Sequence, residues 1–276
     1  AQESCDKCAA GTFQDVEGTT ACKTCTDGYY CAEGAAAALP CPGGTTKIGG
    51  LMTSVDNCTT CGVGTFCPVG SGAATPCAAG TYNSQPAQES CDKCAAGTFQ
   101  DVEGSTACKT CTDGYYCAEG AAALPCPGGT TKQEGVTMVS ASDCTVCGVG
   151  TFCPVGSGAA TPCAPGTYNV VAGRESCLKC AAGTFQDAEG STACKACTQG
   201  YYCAEGAAAP LPCPGGTHKN ASLPFMTSVT QCVICPPGTA CSVGTGTPSE
   251  CSPGTFNPAS QQSVCQPCAQ GFYQDD

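Results

Sequence analysis

The sequence predicts a small disulfide-rich fold: a tandem array of disulfide-clamped β-hairpin modules, drawn out as an extended rod with little regular secondary structure. Three observations carry this. Cysteine supplies 32 of the 276 residues, above the ~8–10% that marks a disulfide scaffold. Leu, Ile, Val and Phe together also number only 32, well below the ~20% expected of a chain that builds an apolar core. The cysteines return at fixed spacing with a long period. Such a chain buries too little apolar surface to fold as one globule, so covalent staples must replace the core.

The charge narrows the function classes. A formal net charge of −12 is opposite to the basic footprint that nucleic acid requires, and it disfavours anionic membrane surfaces. No apolar run approaches the ~18 residues of a membrane span. Cysteine usage at this level belongs to an oxidising compartment, so the expected location is extracellular: secreted or at the cell surface.

The stretch Cys94 to Cys108 shows the module. It is repeated almost letter for letter as Cys8 to Cys22 and Cys180 to Cys194, and begins again at Cys268. Gly97 allows a backbone turn after the first cysteine, and Thr98-Phe99 suits a strand. Asp101 to Gly104 suits a tight turn, and Ser105 to Ala107 is expected to lead back to Cys108. A Cys94–Cys108 bond closes a loop worth roughly 3 kcal/mol in the chain-entropy account.

Cys5, Cys91 and Cys177 are equivalent, as is Cys265. They divide the chain into repeats Ala1–Pro86, Ala87–Ala172 and Gly173–Ser260, and the start of a fourth, Gln261–Asp276. Both ends fall at similar phases of the repeat, so the sequence is expected to be a window of a longer array. Each repeat carries ten cysteines, in the first Cys5, Cys8, Cys22, Cys25, Cys31, Cys41, Cys58, Cys61, Cys67 and Cys77. A finer unit, C-x-x-G followed by Thr or Tyr, occurs five times per repeat. An aromatic follows in four of the five: Phe13, Tyr30, Phe66 and Tyr82. Each ring is expected to cover a neighbouring disulfide as a minimal core. The Ala-rich stretch Glu33–Pro40 reads as a packed loop. Thr45–Asn57, the longest gap and the most variable, reads as an exposed loop.

Parity constrains the bridges. If Cys8 pairs with Cys22, then Cys77 pairs with Cys91, and Cys5 and Cys268 are left over. Two pairings remain for the other four: sequential, Cys25–Cys31 with Cys41–Cys58, or crossed, Cys25–Cys41 with Cys31–Cys58. Superposing Cys25–Cys41 on Cys8–Cys22 aligns Gly28 with Gly11 and Tyr30 with Phe13, which favours the crossed form. The same choice recurs at Cys61, Cys67, Cys77 and Cys91, with Cys61–Cys77 and Cys67–Cys91 as the crossed form.

The motif C-x-x-C-x-x-G-[TY]-[FY], followed by an acidic turn and the next C-x-x-C, resembles the cysteine-rich ephrin-receptor-like repeat, a relative in style of EGF-like and tumour-necrosis-factor-receptor-like modules. The resemblance spans essentially the whole chain, with a departure at Cys31 and Cys67, which directly follow the aromatic. It implies extracellular rods of stacked disulfide hairpins. In overall style the chain also resembles cysteine-rich proteins of flagellar hairs (mastigonemes).

Chemistry finds little support in the residues. Cys5-x2-Cys8-x13-Cys22-x2-Cys25 is close to a zinc ribbon, but ten cysteines per repeat do not divide into fours. Redox C-x-x-C chemistry needs a βαβ context that is missing. His218, the single histidine, reads as a solvated loop residue. Asp15 and Glu17, with Asp101/Glu103 and Asp187/Glu189, are too few oxygens for calcium and read as turn formers. No catalytic residue, cofactor or metal is expected, and the protein is not expected to be an enzyme. Two sequons, Asn57-Cys58-Thr59 and Asn220-Ala221-Ser222, mark expected glycosylation sites.

The expected function is structural: a disulfide-laddered shaft of a filament or surface appendage, whose partners are copies of itself or adjacent repeats, each sub-unit touching only its neighbours. Eighty-six residues reach at most about 280 Å extended, or roughly 70–90 Å if hairpins fold them three- to fourfold. The alternative is the stalk of a cysteine-rich receptor or adhesion ectodomain.

Overall fold

A computed structural model of the chain describes residues 5–274. Among the described residues there are fifteen two-stranded antiparallel hairpins and no α-helix; three single 3₁₀ turns occur at Val55–Asn57, Ala141–Asp143 and Val229–Gln231. The hairpins are numbered 1 to 15 in chain order. Contacts gather them into two compact units, Ala1–Cys126 with Lys132–Cys144, and Pro127–Thr131 with Thr145–Asp276.

The C-x-x-G-T string explains each hairpin locally. In hairpin 1 the Thr12 amide donates to Ala9 O (3.0 Å), closing a four-residue turn with Gly11 third. Gly11 has φ +84, the conformation that a type II turn demands at that place and that glycine adopts without steric cost. The Thr12 hydroxyl donates to the same carbonyl at 2.7 Å. The same pair of bonds recurs at Thr45, Thr65, Thr81 and Thr98. The threonine of the motif therefore contributes strand propensity and a second closure of the turn.

The glycine carbonyl then closes the hairpin. It accepts the amide of the cysteine that opens the next hairpin: Cys25 to Gly11, Cys41 to Gly28, Cys61 to Gly44, Cys77 to Gly64 and Cys94 to Gly80. The return strand is not where the sequence reading places it. In hairpin 6, Phe99 pairs with Lys109 and Thr98 with Thr110, beyond Cys108 and not over Ser105 to Ala107. Lys23–Thr24, Thr59–Thr60 and Asp92–Lys93 occupy the same place. The two middle residues of C-x-x-C are thus a strand, flanked by one cysteine that closes a hairpin and one that opens the next.

Successive hairpins are joined by backbone bonds. The turn glycine of one donates forward into the next, as in Gly11 N–H to Cys31 O (2.7 Å), Gly64 to Asn83 O (2.8 Å) and Gly166 to Gln186 O (2.6 Å). The loop of the next hairpin donates back, as in Gly34 N–H to Cys8 O and Gly104 N–H to Cys77 O, both 2.8 Å. Contacts also skip one hairpin. A Cβ on Gly64 of hairpin 4 would lie 2.1 Å from the Gly104 carbonyl of hairpin 6, and one on Gly150 would lie 2.1 Å from Gly190 O, two hairpins on. The expectation that each sub-unit touches only its neighbours is therefore corrected: packing reaches the next-but-one hairpin, and only a residue without Cβ permits it.

The buried interior is sulfur. Among the described residues, seventeen of the 21 buried apolar residues are cysteines; the others are Met52, Met138, Met226 and Phe185. Phe13, Tyr30, Phe66 and Tyr82 are half-buried, so the rings flank the core and do not form it. The Ala-rich stretch Glu33–Pro40 is not a packed loop: only Ala35, which bridges to Phe13, and Ala38 are half-buried, the rest is exposed, and Leu39–Pro40 is a strand paired with Tyr29–Tyr30. The long loop is exposed only over part of its length. Ile48 and Leu51 face solvent, but Met52 is buried, and its carbonyl accepts the Cys31 amide at 2.8 Å. Met138 and Met226 repeat this, their carbonyls bonded to Cys117 and Cys203.

Candidate functional site

The feature that recurs along the whole chain is the junction between hairpins, built by sulfur. Fifteen disulfides form among the described residues. Cys8 bonds Cys22, Cys94 bonds Cys108 and Cys180 bonds Cys194, each with a separation of 14. The crossed pairing is not formed. Cys25 bonds Cys31 and Cys41 bonds Cys58, then Cys61 bonds Cys67 and Cys77 bonds Cys91. The reason lies in the register. Cys41 donates to Gly28 O as Cys25 donates to Gly11 O, so Cys41 corresponds to Cys25 and not to Cys22. Three residues before Cys41, at the position of Cys22, stands Ala38. Cys25 therefore lacks a return-strand partner and bonds the cysteine after the aromatic. Cys5 and Cys268 are free thiols.

Every C-x-x-C between them splits its two sulfurs between different hairpins: Cys22 closes backward to Cys8, and Cys25 closes forward to Cys31. No such pair retains two thiolates to hold zinc or to cycle as a redox dithiol. Among the described residues no cluster of three or more His, Cys, Asp or Glu side chains is arranged to hold a metal.

The position after the aromatic has two chemical solutions. Where it is cysteine, as at Cys31 and Cys67, a six-residue bridge pins it. Where no such bridge forms, it is an amide that the sequence reading passed over. Gln100, 4% exposed, donates to Ala107 O across the hairpin (2.7 Å) and accepts the Asp101 and Val102 amides. Gln14 and Gln186 donate likewise to Ala21 O and Ala193 O. Asn83 is buried and donates to Ser90 O in its own hairpin and to Thr65 O in the one before, each at 3.0 Å. The signal was present in the sequence as the repeated Phe-Gln and Tyr-Asn dipeptides.

The acidic turn has a defined partner. Asp15, Asp101 and Asp187 each pair with a lysine eight residues on, Lys23, Lys109 and Lys195. The hydrogen bond from that lysine is the main cause that lowers each carboxyl below the ordinary value. Each ammonium also lies 5.8 Å from the centroid of Phe13, Phe99 or Phe185. The aspartates of these turns are therefore engaged by lysine. His218 lies in a strand paired with Val233, not in a loop, and its Nδ1 is buried without a hydrogen-bond partner.

The two sequons differ in setting. Asn57 Oδ1 accepts the Thr53 and Ser54 amides (2.8 and 3.0 Å) and caps the 3₁₀ turn Val55–Asn57. Asp143 Oδ2 takes the same two bonds from Val139 and Ser140, which hold its carboxyl below the usual range. Gln231 Oε1 accepts the Thr227 amide. Asn57 thus occupies a position that requires an acceptor, whichever residue supplies it. Asn220 Oδ1 accepts the Ser222 amide at 3.0 Å, within its own sequon.

Comparison with curated proteins gives no match. Residues 150–197 and 166–209 each match the family described as tyrosine-protein kinase ephrin type A/B receptor-like. The two matches begin at Gly150 and Gly166, turn glycines of consecutive hairpins with φ +73 and +85. Over residues 150–209 the chain is similar to ephrin-receptor-like cysteine-rich repeats, and the described hairpins outside that stretch share their pattern of glycine turns and disulfides.

Proposed function

We propose that this is a structural extracellular protein: a disulfide-laddered shaft of a filament or surface appendage, built from a tandem array of hairpins. One observation carries the reading. The same turn bonds and forward and backward backbone bonds recur from hairpin to hairpin among the described residues, each hairpin closed by sulfur. Near-identical repeats present the same outer surface at a constant interval, which suits head-to-tail or lateral association of like chains. Among the described residues every cysteine other than Cys5 and Cys268 is committed to a disulfide, as an oxidised scaffold requires. Ephrin-receptor-like cysteine-rich repeats are modules of extracellular, non-catalytic type, and no helix among the described residues is long and apolar enough to cross a membrane.

Electron microscopy of native material, before and after reduction, tests this. Filaments with an axial repeat that soften or vanish on reduction support the shaft. Short dispersed rods of one defined length overturn it and favour the second reading, a receptor or adhesion stalk, which the ephrin-receptor-like match supports.

A further inference from the structure

We infer that Asn220, and not Asn57, is the acceptor for an N-linked glycan; the inference rests on the extracellular reading. Both residues stand in Asn-x-Ser/Thr sequons, but their carboxamides are turned in opposite directions along the chain. At Asn220 the oxygen accepts the amide of Ser222, the hydroxyl residue of the same sequon, at 3.0 Å. The Asn220 carbonyl accepts the Leu223 amide at 3.1 Å. This is an Asx turn. It folds the sequon so that the carboxamide and the Ser222 residue lie together, while Ala221 and Ser222 are exposed. Nδ2 of Asn220 has no hydrogen-bond partner among the described residues. The turn is completed within four residues, so it is available before hairpin 13 is closed by Cys213–Cys232.

At Asn57 the oxygen is directed backward. It accepts the Thr53 amide and hydroxyl and the Ser54 amide, and none of its bonds involves Thr59. Thr59 is in a strand paired with Thr46. The middle residue of the sequon, Cys58, is bonded to Cys41, so oxidation of that cysteine locks the sequon into the hairpin. The second repeat carries Asp143 at the same position and performs the same capping without a sequon, so the asparagine at 57 is explained by the cap alone.

The step is an amide glycosylation. Nδ2 of Asn220 attacks the anomeric carbon of a lipid-diphosphate-linked oligosaccharide presented by a lumenal transferase. The C–N bond forms, the C–O bond to the diphosphate breaks, the lipid diphosphate leaves with the electron pair, and the amide proton passes to the transferase base.

The test uses the 276-residue chain with a secretory leader in a eukaryotic host. Glycans are removed enzymatically in heavy-oxygen water, and the peptides are read by mass spectrometry. The expected result is label at Asn220 and none at Asn57. Asn220→Gln and Ser222→Ala each remove the whole glycan, and Asn57→Asp, which keeps the cap, leaves it in place. Label at Asn57 equal to or above that at Asn220 overturns the inference, as does an unlabelled Asn220 in secreted chain. Thiol counting on the same material separates the two readings. Intact disulfides with a bare Asn220 refute the glycan alone, whereas secreted chain with its cysteines reduced counts against the extracellular scaffold.

Discussion

Replacing Gly64 by Ala should loosen the array far more than the same change at Gly238, although the two glycines share a conformation. Their φ values are +74 and +80. An alanine held there loses about 1–2 kcal/mol to the clash of its Cβ with backbone, partly offset by the lower entropy of its unfolded chain. That leaves about 1 kcal/mol at Gly238, where an added Cβ meets nothing within 4 Å. At Gly64 the Cβ would lie 2.1 Å from the carbonyl oxygen of Gly104, a backbone atom that cannot swing aside. Gly104 is itself tied back by its amide to Cys77 O at 2.8 Å. Relieving the overlap means moving hairpin 6 from hairpin 4, at about 1–3 kcal/mol for overpacking and about 1 kcal/mol for the strained hydrogen bond. The total for Gly64→Ala is at least about 3 kcal/mol. With so many bridges intact no single two-state transition is expected, so local opening is the quantity to measure. The amides that donate to the two glycine carbonyls, Cys77 and Cys251, report it by hydrogen exchange. Exchange should quicken roughly a hundredfold at Cys77 in Gly64→Ala and roughly fivefold at Cys251 in Gly238→Ala. Equal acceleration in the two variants would refute the close approach of next-but-one hairpins.

Ala87 and Gln261 have φ of +61 and +65, at the position Gly173 fills with φ +76; glycine there should stabilise by about 0.5–1 kcal/mol, seen as slower exchange of the amides bonded to Cys61 O and Cys235 O. Asn57→Ala leaves the Thr53 and Ser54 amides without their acceptor and should cost about 1 kcal/mol, whereas Asn57→Asp should preserve the cap, a contrast readable from exchange at those amides. Lys109→Ala should raise the Asp101 carboxyl toward its ordinary value, since the Lys109 bond is the largest cause that lowers it. In the parent the pair's contribution is present above the unfolded-state value near ~3.9 and is lost as pH falls through the lowered folded value, and the variant should lose that dependence in an NMR titration of Asp101. Deleting Cys25–Cys31 as a pair should cost about 2.4 kcal/mol and deleting Cys8–Cys22 about 3 kcal/mol, the difference following loop length in the chain-entropy account, measured again by local exchange.

Much of the hairpin was legible because its chemistry is local. Gly97 had to turn, Thr98-Phe99 had to be a strand, and Asp101 to Gly104 had to turn back, each fixed by a few residues. The return strand was misplaced because Lys109–Thr110 is exposed on both residues and carries no apolar alternation, so nothing in composition marks it. The pairing of Cys25 was misjudged for a related reason. Matching glycine and aromatic positions located the turn correctly, but only the backbone bond from Cys41 to Gly28 O reveals that Cys41 begins the next hairpin. Buried Met52 escaped notice because its partner, the Cys31 amide, belongs to another hairpin, and the Asn57 cap, though its partners Thr53 and Ser54 are local, because it lies in a loop whose sequence otherwise varies. The amides of Gln100 and Asn83 look like ordinary surface residues until the carbonyls they satisfy are seen.

Stretching single chains, oxidised and then reduced, tests the covalent shaft most directly. With sequential bridges each closing its own short loop, tension runs from hairpin to hairpin through junction residues and sulfur, and the looped residues stay hidden. The fully extended length should then grow about twofold on reduction, at about 3.3–3.6 Å per released residue. Equal lengths before and after reduction would mean that the bridges do not close these loops, and would contradict the account of the chain as a disulfide-laddered shaft.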